Sequence, residues 1–293
     1  MPVSSDAALT VALIGAGEMG SAVGRRLRMM GARVITELKG RSQQSAERAA
    51  DAELEIINND SLLVSEADII LSIVPPGVAH VVAERLRAAL LATKAKRTFV
   101  ECNAIAPKTV RRIEAVLSDT GCNFVDAGII GGPPPSDDMT KGPRFYASGP
   151  HAHSFAELAR YGLDIAVLDA PVGAASGLKL AYAGLTKGFT ALGTAMVGAA
   201  VRDHLSEALR AELARSQPDM LRRLERFVPS MFPKAYRWVA EMEEIAAFID
   251  DGDKGASIYQ GAARLYERVA AELERDSESE WLLALTSFCH PRH

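Results

Sequence analysis

Three glycines near the N-terminus constrain the fold more than any other feature of the sequence. Gly15, Gly17 and Gly20 stand in GAGEMG, directly after the apolar run TVALI and directly before a stretch of helical character. The spacing G-x-G-x-x-G is common in loops, and its place between a strand and a helix is what gives it meaning. There Gly15 permits a tight turn, Gly17 lets main chain approach a pyrophosphate, and Gly20 lets the helix lie close on the strand. The free N–H groups and dipole of the helix start add an anion site. The motif predicts a βαβ unit that binds a dinucleotide, with Glu18 and Met19 among the residues around the phosphates.

The rest of the first half fits such a unit. Strands are expected at Leu9–Ile14, Arg33–Leu38, Asp68–Val74, Thr98–Cys102 and Asn123–Ala127, with helices at Ser21–Met30, Gln44–Ala52, Val78–Leu91 and Lys108–Leu117. Near-continuous Val, Ile, Leu and Phe in the later strands suits a sheet covered on both faces. The α/β alternation predicts a doubly wound, parallel Rossmann sheet. From Gly128 to Pro135 the run GIIGGPPP reads as a loop. Strands at Arg144–Ser148 and Asp164–Leu168 follow, with a helix over His153–Tyr161 between them.

Beyond Gly173 nearly everything has helical character. A chain of 293 residues exceeds one ordinary domain. We therefore expect a dinucleotide-binding domain over 1–170 and an all-α domain over 171–293, with the chemistry in a cleft between them. Gly184, Gly188, Gly193 and Gly198 recur in the first long helix, each costing about 1 kcal/mol relative to alanine. Their repetition predicts close approach of another backbone.

Charge and cysteine content narrow the function classes. The formal net charge is -4 and the basic residues are scattered, so no nucleic-acid partner is expected. The most apolar stretch, Gly188 to Val201, is shorter than the roughly 20 residues a bilayer span needs. The opening MPVSSDAALT lacks a signal-peptide pattern, and Cys102, Cys122 and Cys289 show neither pairing nor zinc spacing. These features lead us to expect a cytoplasmic protein with reduced thiols and no metal. His80, His151 and His153 read as solvated or structural.

After the second strand comes Glu37-Leu38-Lys39-Gly40-Arg41-Ser42. An acid here suits the ribose hydroxyls of NAD, which Glu37 can supply. Lys39, Arg41 and Ser42 suit an additional phosphate, unless the basic pair only decorates a solvated turn. The balance favours NADP(H), with NAD as the alternative.

Four blocks stand in order along the chain: GAGEMGSAV (Gly15 to Val23), IVPPGVAHVV (Ile73 to Val82), FVDAGIIGG (Phe124 to Gly132) and GAASGLKLAYAG (Gly173 to Gly184). Together they resemble the β-hydroxyacid dehydrogenases, which include 3-hydroxyisobutyrate and 6-phosphogluconate dehydrogenases. The resemblance implies that Lys179 is catalytic and that Val74 and Pro75 border the cofactor. It also puts Asn103 where the family often has a serine that meets substrate or nicotinamide. Gly131 and Gly132 are placed to offer N–H groups to an anionic substrate, or else form a flexible turn. Lysine suits the chemistry: an ammonium can stabilise and protonate the oxygen left by hydride transfer.

Three positions depart from the family pattern: Ile130 replaces a serine, Ala183 an asparagine, and Met242 and Glu243 a Lys-Asp pair. Lys187 lies two helical turns beyond Lys179 and reads either as a compensating substrate cation or as a surface lysine. Tyr182 reads as core or as a second proton donor. Arg237 and Glu241 have the spacing of a helix-surface ion pair. The expected activity is hydride transfer at an alcohol or carbonyl carbon of a small β-hydroxyacid-like substrate. Imine reduction and a non-catalytic dinucleotide sensor are the alternatives. The resemblance further implies a homodimer or homotetramer through the helical domain.

Overall fold

The structure is a computed structural model and describes residues 8–93, 96–249 and 254–290. The chain divides into two compact units, the first closing at Lys179 and the second opening at Leu180. The division falls inside a helix rather than at residue 170, because the first turns of that helix are tied to the sheet.

In the first unit β1 (Thr10–Ile14), α1 (Glu18–Met29) and β2 (Arg33–Thr36) form the opening βαβ unit. They are followed by α2 (Gln43–Asp51), β3 (Glu55–Ile56), α3 (Asp60–Glu66), β4 (Ile69–Ser72), α4 (Ala79–Ala92), β5 (Thr98–Glu101) and α5 (Pro107–Leu117). Then come β6 (Asn123–Ile130), β7 (Arg144–Ser148), α6 (Ala152–Ala156) and β8 (Asp164–Val167). The sheet order is β3-β2-β1-β4-β5-β6-β7-β8, parallel throughout except between β6 and β7. The order reverses between β1 and β4, which puts a ligand crevice at the carboxyl ends of those strands.

Alternate side chains cover the two faces. Val11 and Leu13 of β1 join Val23, Leu27, Phe145 and Phe155 on one side. Ala12 and Ile14 join Ile70, Leu86, Phe99 and Ile113 on the other. This is the double cover that the apolar strands predict.

Two elements escape the sequence reading: β3, with only two residues, and α3, capped by Asn59 through Leu62 N–H at 2.9 Å. The expected loop at Gly128 is also corrected. Gly128, Ile129 and Ile130 pair with Tyr146, Phe145 and Arg144, so β6 continues and the loop begins at Gly131. Glycine serves within this strand because a Cβ there would lie 2.6 Å from the Ala175 carbonyl oxygen and 3.1 Å from Lys179 Cβ.

The long α7 (Ala174–Arg202) leads into α8 (Ser206–Ser216), α9 (Pro218–Met231), α10 (Ala235–Ile249), α11 (Ala256–Arg275) and α12 (Glu280–Cys289). Val197, Leu221, Leu224, Val228, Leu285 and Phe288 form a core among α7, α9 and α12 of the helical unit. The glycines of α7 do admit close neighbours, but these are side chains rather than another backbone. Tyr259 lies over Gly184 and Gly188, Leu224 fills the space at Gly193, and the Trp281 ring lies beside Gly198. Among the described residues no helix is long and apolar enough to cross a membrane.

Candidate active site

The carboxyl edge of the parallel strands gathers most of the residues singled out in the sequence. Gly15 leaves β1 at φ +102, in the left-handed region that a side chain disfavours, and a Cβ there would collide with the Ile73 carbonyl oxygen. A Cβ on Gly20 would collide with the Gly15 carbonyl oxygen, so both glycines are required by close main-chain contact. Gly17 differs. It precedes α1 in extended conformation and has open space on its Cβ side. No side chain caps the start of α1. The cradle has the shape and polarity a pyrophosphate needs. Glu18 is exposed in the first turn of α1, whereas Met19 packs on the sheet core.

Asn103 is held by three partners inside the protein. It is 2% exposed, accepts the Val74 N–H at 2.6 Å, and donates to Ser72 Oγ at 3.1 Å and to Glu101. Both amide hydrogens are used inside the protein, so Asn103 braces the segment that follows β4. It fixes Val74 behind the phosphate loop, while Pro75 is exposed. Beneath it, Glu101 is fully buried, its Oε2 has no hydrogen-bond partner, and burial raises its pKa to about 8. Burial and the neighbouring Glu101 likewise push the Cys102 thiol up, against the opposing charge of Lys179.

Lys179 is positioned by a residue that the sequence did not single out. Asp126 of β6 is completely buried, and its Oδ2 accepts N–H groups of Gly173 at 2.8 Å, Ala175 at 3.1 Å and Ser176 at 3.2 Å. It also accepts the hydroxyls of Ser148 and Ser176. A carboxylate at a helix N-terminus is stabilised by exposed N–H groups and by the dipole. Asp126 thereby fastens α7 to the sheet, and Lys179 follows in its second turn against Gly128. The sequence carried this signal only as two separate blocks, FVDAG and GAASG.

The loop after β6 is also held from within. Gly131 takes φ +126 against Pro143, which accounts for glycine there, while Gly132 is exposed with open space. Arg26 of α1, 4% exposed, donates to the carbonyl oxygens of Pro135, Asp138, Met139, Lys141 and Gly162. The loop wraps this one guanidinium, an arrangement with no sequence signature.

At the end of β2, Glu37 is buried and accepts the Lys39 N–H, and its Oε2 meets Arg85 Nη1 of α4 at 3.2 Å. Ser42 caps α2 by accepting the Ser45 N–H at 3.3 Å, so its hydroxyl already has a local task. Lys39 is exposed and Arg41 partly so.

Lys187 already has a counter-ion. In the helical unit it pairs with Glu241, lies 4.8 Å from the Trp238 ring centroid, and burial lowers its pKa. Glu241 therefore serves Lys187, and Arg237 stacks over Tyr236 at 5.7 Å. Tyr182 is exposed rather than core. Met242 is core of the helical unit. Among the described residues no group of three or more His, Cys, Asp or Glu side chains could hold a metal ion.

Residues 10–160 match the family described as the NAD binding domain of 6-phosphogluconate dehydrogenase. The chain belongs to that family. Residues 200–269 match a second family, a domain of unknown function, DUF1932. A similar solved structure, 29% identical over 90% of this chain and 97% of its own with TM-score 0.67, is a conserved protein of unknown function described as structurally similar to 3-hydroxyacid dehydrogenases. The 3-hydroxyisobutyrate dehydrogenase of Mycobacterium tuberculosis shares the fold at 16% identity, with TM-score 0.72 over 96% of this chain and 99% of its own. A reductive aminase of Aspergillus terreus does so at 16%, with TM-score 0.56 over 91% and 95%. The resemblance carried by the four sequence blocks is thereby borne out.

Proposed function

We propose that the protein is an NADP(H)-dependent oxidoreductase acting at the alcohol or carbonyl carbon of a small β-hydroxyacid-like substrate, with Lys179 as general acid and base. The observation that carries this reading is the anchoring of Lys179. A buried Asp126 cap holds the first turns of α7 on the sheet, and the lysine sits against a strand glycine at the carboxyl edge that also bears the phosphate cradle. When bound, the nicotinamide supplies or accepts the hydride. In reduction the Lys179 ammonium donates a proton to the carbonyl oxygen; in oxidation its neutral amine takes the hydroxyl proton. The N–H groups of Gly131 and Gly132 offer donors to an anionic substrate group, in a loop that Arg26 keeps ordered.

Lys39 and Arg41 support NADP(H) over NAD(H), since two cations at the exit of β2 favour a phosphate. Reduction of a C=N bond is the second reading, favoured by the fold shared with the reductive aminase and opposed by Lys179. A panel of β-hydroxyacids, their semialdehydes and cyclic imines, assayed with both cofactors, tests the choice. Turnover of a hydroxyacid or semialdehyde faster with NADP(H) is expected. Turnover of imines alone overturns the substrate assignment, and binding of either cofactor without turnover of any compound favours a sensor.

The exposed face of α7 supports association with a second copy. Leu178, Tyr182, Leu185, Leu192 and Met196 are exposed at steps of four, three, seven and four, the spacing of a helix–helix seam. Their open surface amounts to roughly 500 Å² per copy, so a pair would bury about 1,000 Å², the lower end for a specific interface. We take a homodimer as the assembly.

A further inference from the structure

We propose that Arg85 sets the dinucleotide preference by holding the Glu37 carboxylate as its own counter-ion, which leaves Lys39 and Arg41 to receive the phosphate of NADP(H). This rests on the cofactor reading above and names the residue that makes it possible. An acid at the end of the second strand ordinarily accepts the ribose hydroxyls and repels a phosphate placed on them. Glu37 occupies that position, yet it is 5% exposed, with Oε1 on the Lys39 N–H and Oε2 on Arg85 Nη1. Its charge is turned inward and neutralised.

Arg85 comes from α4, distant in sequence from the β2 turn. Its Nε also lies 3.3 Å from Asp60 Oδ2 at the start of α3. Lys39 and Arg41 both act electrostatically on that same Asp60, so the five groups form one cluster. With Arg85 present, three cations face two carboxylates; without it, the charges balance and Glu37 is buried unpaired. A buried carboxylate without its partner turns toward water or toward any available donor. At this position the donors are the ribose hydroxyls of NAD(H). Arg85 Nη2 is buried and has no hydrogen-bond partner among the described residues. Arg85 is thus a positioning residue that acts through Glu37.

The test is calorimetric binding of NADP+ and NAD+ to four proteins: wild type, Arg85→Met, Arg85→Lys, and Arg85→Met combined with Glu37→Gln. Both affinities are taken on one preparation, so their ratio is unaffected by any loss of folded fraction. Wild type is expected to prefer NADP+. In Arg85→Met the NADP+/NAD+ affinity ratio should fall by about tenfold or more, the size of effect produced by exposing one unpaired charge near a ligand phosphate. Arg85→Lys should keep most of the preference, and adding Glu37→Gln to Arg85→Met should restore it. An unchanged ratio in Arg85→Met, or a fall that Glu37→Gln does not reverse, overturns the proposal while leaving the cofactor reading intact. A wild type that prefers NAD+ overturns the cofactor reading itself, and the role of Arg85 with it.

Discussion

Glu101 sits at the end of β5 without exposure, between the buried Asp126 and the amide of Asn103, and it keeps its proton to about pH 8. In the unfolded chain the same side chain titrates near its ordinary 4.5. Because the folded pKa is the raised one, the proton's contribution is complete below pH 4.5 and is lost as pH rises toward 8. Stability should therefore decline across that window, and Glu101→Gln, which has no proton to lose, should not share the decline. Melting temperatures of both proteins at pH 5, 6.5 and 8 read the difference directly. The gap should shift by several degrees in favour of the variant, at about 2–4 °C per kcal/mol for a domain of this size. Parallel curves would show that Glu101 is ionised in the fold throughout. Such a residue is invisible in sequence: VECN marks the end of a strand, but not that the acid points inward. The orientation of Asn103 is hidden in the sequence for the same reason. The direction of its amide depends on Ser72 of β4 and on Val74 just beyond it.

Two elements are set by single charged residues reaching across the first unit. Asp126 caps α7, and Arg26 organises the loop over 131–143. In the second case five main-chain carbonyl oxygens surround one guanidinium, with distances from 3.0 to 3.4 Å. One of them belongs to Lys141, whose side chain is exposed. Arg26→Met should free the loop while the sheet stays folded. Trypsin should then cleave after Lys141 at least about tenfold faster, which corresponds to roughly 1.4 kcal/mol of local loosening. Equal cleavage rates would mean that the loop is ordered by something other than Arg26. Regular elements were legible because their burial follows a period: Val11 and Leu13 face one side, Ala12 and Ile14 the other. The short β3 gives no such period, and β6 was cut short at Gly128 because glycine signals a turn unless a neighbour's close approach is known.

For the whole molecule, the order of an α/β half and a helical half was legible in the residues, while the division within α7 depended on the Asp126 cap. The glycines along α7 correctly announced close packing but not its partners, since Tyr259, Leu224 and Trp281 come from later helices. The proposed homodimer uses the exposed apolar face of the same helix, so its test belongs to the whole molecule. Leu185, 75% exposed, lies in the middle of that face. Leu185→Glu should convert a dimer to a monomer in sedimentation experiments without loss of helical content. A wild-type monomer, or an unaltered dimer in the variant, would contradict this use of the surface. In the proposed reaction everything rests on Lys179 carrying the proton. Its most direct test is single-turnover hydride transfer in Lys179→Ala, measured beside calorimetric cofactor binding. We predict unchanged cofactor affinity with transfer slowed by about 10²–10⁴-fold; transfer at the wild-type rate would contradict the mechanism.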